Sequence, residues 1–199
     1  MLSERLREWT QGLRAPIARV LGRWGVTPNA LTVCGYLLNL PVMLALAAGR
    51  LQLGGLLVVV AALFDALDGA VARETGQAST FGALFDSVMD RYSEATVLLG
   101  LLLWYQQTGA RLELVLLYVT LVGSLMVSYT RARAEGLGLS CKVGLLTRFE
   151  RVVLLAVGLL LRQVPIVLGI MAVLTNLTAA QRVHHVWQQT KGRTGASGA

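Results

Sequence analysis

The sequence predicts an all-α, polytopic membrane protein: six transmembrane helices preceded by an N-terminal amphipathic helix in the membrane interface. Three observations predict it. Hydrophobic residues make up 55% of the 199-residue chain and charged residues only 15%, a balance outside the range of ordinary soluble domains. Six apolar segments follow one another, at about 31–48, 53–72, 83–104, 112–130, 149–162 and 165–183, most approaching the ~20 residues a helix needs to cross a bilayer. Ahead of them lies an arginine-rich stretch with apolar residues interleaved. The expected organisation is a juxtamembrane helix over 1–26, a six-helix domain over 27–187 and a disordered tail over 188–199.

In residues 3–24, Arg5, Arg7, Arg14, Arg19 and Arg23 alternate with Leu6, Trp9, Leu13, Ile17, Val20, Leu21 and Trp24. Such a pattern lies in a membrane surface, arginines in the headgroups and apolar side chains below. Pro16 kinks this stretch or begins a second helix. No basic start followed by an apolar run and a small-residue cleavage site is present, so no cleavable signal is expected. Thr27 or Asn29 caps the first span, and Pro28 stiffens the turn. Gly49 and Arg50 separate the first two spans, Arg162 and Gln163 the last two. The fifth apolar run is short, which leaves its ends open. The tail from Lys191 is polar and rich in small residues, a composition that does not build a core. Cys34 and Cys141 lie in unrelated segments and are expected to be free thiols.

Charge sets the orientation. Arg50, Arg111 and Arg162 are the single basic residues of the three connections on one side. All other lysines and arginines fall on the opposite side or in the halves of spans nearest it. Basic residues mark the cytoplasmic face, so the N-terminus is expected in the cytoplasm of a cell membrane. The net charge of +7 then points to anionic lipid and phosphate-bearing substrates and away from nucleic acid. His184 and His185 are neighbours on a helix and do not share a face; they read as interfacial residues and not as a metal pair.

The stretch from Asp65 to Asp90 is out of place in this setting. Before it runs LGGLLVVVAALF and soon after it TVLLGLLLWY, both apolar enough for a membrane core. A carboxylate at the centre of such a helix costs about 2.5–3.5 kcal/mol, and four are present. Asp65 and Asp68 are three residues apart and Asp86 and Asp90 four apart, so each pair shares a helix face. Only Arg73 and Arg91 lie close in sequence, too few to neutralise them. Divalent metal is the simplest partner, and a pair of hard ions on four carboxylates can clamp a pyrophosphate. Small residues around the motif, among them Ala66, Gly69, Ala70, Ala72, Gly82 and Ala83, admit close approach of helices or of a substrate. Glu94, one turn past Asp90, either supports the cluster or faces a polar gap. A cation transporter is disfavoured, because the aspartates sit at one membrane face and the outer halves hold no acidic residue except Glu113.

The pattern D-x2-D-G-x2-A-R-x8-G-x3-D-x3-D, met here by Asp65, Asp68, Gly69, Ala72, Arg73, Gly82, Asp86 and Asp90, resembles the signature of the CDP-alcohol phosphotransferases. The resemblance implies a membrane enzyme that moves a phosphatidyl group from CDP-diacylglycerol to an alcohol and releases CMP. It implies two Mg²⁺ ions, with Mn²⁺ as an alternative, on Asp65, Asp68, Asp86 and Asp90. Asp90 would also be the catalytic base, and the enzyme a homodimer with its site facing the cytoplasm. It further implies that Asn29, Ala30, Leu31, Thr32, Gly69, Arg73 and Ser79 contact the CDP moiety.

A second group, Ser128 to Glu135, Arg148 to Arg151, and Gln181 with Arg182, sits at the cytoplasmic ends of later spans. Guanidiniums pair bidentately with phosphate, which suits an anionic acceptor; the competing reading is that they anchor the chain at headgroups. These stretches are similar to those of the phosphatidylinositol-phosphate synthases within the family. That similarity implies an inositol phosphate acceptor held by Ser128, Arg131, Arg151 and Arg182. Arg131 stands where that branch often has lysine, and Thr147 where it often has an acidic residue. The alternative acceptor is glycerol 3-phosphate, which the arginines do not discriminate.

Overall fold

A computed structural model describes residues 20–22 and 24–194, without the side chains of Asp68 and of residues 192–194. Most of the expected amphipathic helix, Pro16 included, and residues 195–199 of the tail lie outside the described residues. Among the described residues the regular structure is entirely helical. After a helical turn at 20–22 come α1 (Pro28–Ala47), α2 (Leu51–Glu74), α3 (Thr80–Thr108), α4 (Arg111–Gly136), α5 (Arg148–Leu160) and α6 (Val164–Thr194). The chain divides into two compact units, one up to Gly100 and one from Leu101.

In the first unit α1 packs along α2. Thr27 is the cap left open between it and Asn29: its Oγ1 accepts from Ala30 N at 3.3 Å, with Pro28 at the first helical position. That proline has no amide hydrogen to waste on the helix end. The buried face of α1 is Leu31, Thr32, Gly35, Asn39, Val42, Ala45 and Leu46, a helical stripe. Leu31 joins Ala70 and Val71 of α2 in a small core, backed by Leu21, Val26 and Phe64. Gly49, at φ 72°, reverses the chain, and Arg50 N bonds back to Ala45 O at 2.9 Å. α2 ends at Thr75, whose hydroxyl donates to Val71 O at 2.7 Å, and Gly76 turns away at φ 67°. Ser79 then caps α3, its Oγ accepting from Gly82 N at 3.0 Å.

In the second unit α6 packs against α4 and α5. Gly123 makes the α4–α6 approach possible: a Cβ there would run into Thr175 and Asn176. Polar groups in this seam are tied to backbone, Thr120 Oγ1 to Leu168 O at 3.4 Å and Asn176 Nδ2 to Val119 O at 3.3 Å. The turn from α5 to α6 places Arg162 at φ 58° and closes with Gln163 N to Gly158 O at 2.8 Å. α6 runs on through Thr194, past the boundary expected at residue 187. Lys191 lies over the Trp187 ring at 3.8 Å, a same-face contact one turn apart that favours continued helix. Both cysteines are free.

Among the described residues four helices, α1, α2, α4 and α6, are long and apolar enough to cross a membrane. The two other expected spans differ for physical reasons. α3 carries Asp86, Asp90, Arg91 and Glu94 in its first half. α5 has 13 residues, or about 20 Å at 1.5 Å per residue. Exposed leucines and valines such as Leu44, Leu56, Leu63, Val115 and Val173 are ordered as a lipid-facing surface requires and would be a liability in water.

Candidate active site

The first unit brings three of the four expected carboxylates together. Asp65 from α2 and Asp86 and Asp90 from α3 each offer an oxygen within 4.8 Å of the others. Helical spacing puts Asp86 and Asp90 on one face of α3, and Asp65 meets them from α2. Asp68 lies one turn along α2 from Asp65; its side chain is outside the described part. An all-oxygen set of this size suits a hard divalent cation. Arg91 Nη1 stands 3.7 Å from Asp90 Oδ2 and also donates to Ser87 O. His184 lies against Trp187 and within 2.9 Å of Gln188 Nε2.

Beside the carboxylates is a cavity of about 220 Å³, and Asp86 lines both. Asn29, Thr32, Gly69, Arg73 and Ser79 line it. Ala30 and Leu31 do not line it. Leu31 is 5% exposed and packs on Ala70 and Val71, while Ala30 is exposed and gives its amide to Thr27. Rotation of about 100° per residue turns these two away from the face shared by Asn29 and Thr32. Gln77 and Ala78 of the α2–α3 loop also line the cavity; sequence reasoning missed them because their only signal is position in the loop.

The cavity is built for negative charge. It receives the N-terminal ends of two helices, α1 at Pro28 and Asn29 and α3 at Ser79 and Gly82. Helix N-termini carry partial positive charge and spare amide donors. Arg73 adds a full charge, lying along Gly69, where a Cβ would be 3.4 Å from its Nη1. Gly82 keeps the wall thin, since a Cβ there would stand 3.0 Å from Ser79 Oγ and 3.4 Å from Asn29 Oδ1. A carboxylate cluster that draws cations thus adjoins a pocket that draws anions. That is the division of labour needed to hold a metal-bound pyrophosphate.

A family model for CDP-alcohol phosphatidyltransferases matches residues 25–183. The chain belongs to the CDP-alcohol phosphatidyltransferase family. An archaetidylinositol phosphate synthase of Pyrococcus horikoshii is 38% identical over 169 residues, covering 84% of this chain and 87% of that protein. A phosphatidylinositol phosphate synthase of Mycobacterium tuberculosis is 36% identical over 186 residues, covering 88% and 86%. Crystal structures of the Mycobacterium tuberculosis enzyme are similar in fold. The one with CDP-DAG bound has TM-score 0.83 at 34% identity, covering 87% of this chain and 93% of that one. The one with manganese and citrate has TM-score 0.83 at 34% identity, covering 87% and 88%.

The residues expected to hold the acceptor all lie in the second unit. Arg131, exposed on α4, pairs with Glu135 at 2.8 Å. Ser128 is half-buried one turn before it. Arg151 and Arg182 are 2% and 4% exposed. Arg182 donates through Nε to Val143 O at 2.9 Å and through Nη1 to Val127 O. Leu146 O accepts from Arg151 Nη1 at 3.5 Å, and Leu146 N donates to Thr178 Oγ1 at 3.1 Å. Arg182 is close enough to Arg131 and Arg151 to feel their charge. Three cationic groups are therefore gathered where the 137–147 loop meets α4 and α6.

Proposed function

We propose that this enzyme transfers a phosphatidyl group from CDP-diacylglycerol to the hydroxyl of a phosphorylated alcohol, inositol 1-phosphate, giving phosphatidylinositol phosphate and CMP. The observation that carries the reading is Asp86, shared by the carboxylate cluster and the anion-seeking cavity. Names of the relatives support the acceptor, as does the gathering of Arg131, Arg151 and Arg182. In the reaction the acceptor oxygen forms a bond to the phosphatidyl phosphorus and the bond to the CMP oxygen breaks. Asp90 takes the hydroxyl proton, a role suited to a carboxylate at the cluster edge. Asn29, Thr32, Gly69, Arg73 and Ser79 hold the nucleotide and its phosphates.

Asp65, Asp68, Asp86 and Asp90 would hold two Mg²⁺ ions, which Mn²⁺ can replace; bound, they supply charge stabilisation to the pyrophosphate. We further propose six spans with the N-terminus in the cytoplasm, a site facing the cytoplasm of the cell membrane, and a homodimer. The test is a radiolabel assay with CDP-diacylglycerol offering inositol phosphate, glycerol 3-phosphate, serine and free inositol side by side. Product from inositol phosphate alone, lost on chelation and restored by Mg²⁺, is the expected result. Product from glycerol 3-phosphate instead assigns the other acceptor.

A further inference from the structure

Gly35 sits in the interior of α1, buried, at an ordinary helical φ. Nothing in its backbone conformation requires glycine, and alanine is the better helix former. The reason for glycine lies across the interface with α2. A Cβ at position 35 would stand 3.2 Å from Asp65 Oδ1, 3.8 Å from Phe64 Cδ1 and 3.9 Å from Asp65 Cα. The first contact is tighter than ordinary van der Waals packing, and its partner is the carboxylate that meets Asp86 and Asp90. Asp65 Oδ1 is the far end of a side chain, whereas the Asp65 Cα behind it is backbone at ordinary contact distance, so the carboxylate is the group that would move.

We infer that Gly35 is a positioning residue for the Asp65 carboxylate, its missing Cβ allowing α1 to back the metal cluster without displacing that ligand. The inference rests on Asp65 being a metal ligand. Mg²⁺ demands near-ideal octahedral ligand geometry, so a shift of a few tenths of an ångström is felt in affinity. Groups that only orient a ligand typically change metal affinity by about 10- to 100-fold when altered.

The test uses the full chain in nanodiscs, stripped of metal, with Mn²⁺ binding read by electron paramagnetic resonance. Gly35→Ala is expected to weaken Mn²⁺ binding by about tenfold or more. Gly54→Ala is the control. It crowds the same α1–α2 interface, where a Cβ would press Leu46, but about 16 Å along α2 from Asp65; it is expected to keep wild-type Mn²⁺ affinity. A thermal-melt cycle with Asp65→Ala gives a second, metal-free readout. Removing the carboxylate should relieve the destabilisation caused by Gly35→Ala, and should rescue folding if Gly35→Ala alone does not fold. Wild-type affinity in Gly35→Ala, an equal loss in Gly54→Ala, or no relief in the double variant overturns the inference. Asp65→Ala alone must lose Mn²⁺; if it does not, the metal reading of Asp65 fails, separately from the place of Gly35.

Discussion

Asp86 faces two neighbours, the carboxylates of Asp65 and Asp90 and the cavity that Arg73 enters. Asp86→Asn keeps its shape and removes its charge, so turnover should fall to background while the melting curve stays near wild type. CMP release measured beside a thermal melt checks both halves. Asp90→Asn should lower kcat by ~10²–10⁴, the range for loss of a general base. Each aspartate pair was legible because its spacing is local: residues three or four apart on a helix share a face in any fold. By the same rule Ala30 and Leu31, between the cavity-lining Asn29 and Thr32, lie on other sides of α1. The partners of Arg182 were not legible in this way. Val143 and Val127 are 39 and 55 residues distant in sequence, and no local pattern announces a side chain that crosses such a gap.

Hydropathy located all six helices but misplaced several ends, since a helix continues where capping and backbone bonding allow and not where apolar composition stops. α3 begins at Thr80 because Ser79 caps it, and α6 runs through Thr194 beyond its apolar run. Ser79→Ala removes both a cap and a cavity wall. It should cost about 1 kcal/mol of stability, typical for an N-cap, and raise the KM for the CDP-lipid while leaving the acceptor KM unchanged. The 137–147 loop is fastened mainly by α6: Arg182 holds Val143, Thr178 holds Leu146, and Gln189 Nε2 donates to Ser140 O at 2.6 Å. Leu139 and Cys141 seal it against Ala134 and Val186. Arg182→Ala should therefore do two things. If Arg182 holds the acceptor phosphate as proposed, losing that charge-assisted contact, worth about 1.5–3 kcal/mol, raises the acceptor KM about tenfold or more. Losing the hydrogen bonds to Val143 O and Val127 O lowers the melting temperature as well. An unchanged acceptor KM in a variant of lowered stability would leave Arg182 a loop anchor only.

For the whole molecule the decisive quantity is the distribution of charge along the helix order. The turns after α1, α3 and α5 fall at 48–50, 109–110 and 161–163, and the basic residues in or beside them are Arg50, Arg111 and Arg162 alone. The intervening loops and the ends of the helices next to them hold Arg73, Arg91, Arg131, Arg133, Lys142, Arg148 and Arg151. If each helix crosses the membrane, this asymmetry predicts that the 75–79 loop faces the cytoplasm. The arrangement can be read by thiol labelling. Cys34, which is exposed, is first replaced by serine; Cys141 is buried. A cysteine at Gln77, in the cavity wall, should then react with an impermeant reagent only from the cytoplasmic side, and CDP-diacylglycerol with Mg²⁺ should slow that reaction. A cysteine at Gln107, exposed near the other end of α3, should react only from outside. Because both positions flank a single helix, their opposite labelling also tests whether α3 crosses the bilayer despite its charged first half. Labelling of both from one side would show that α3 does not cross, and the reverse pattern would put the carboxylate cluster at the outer face.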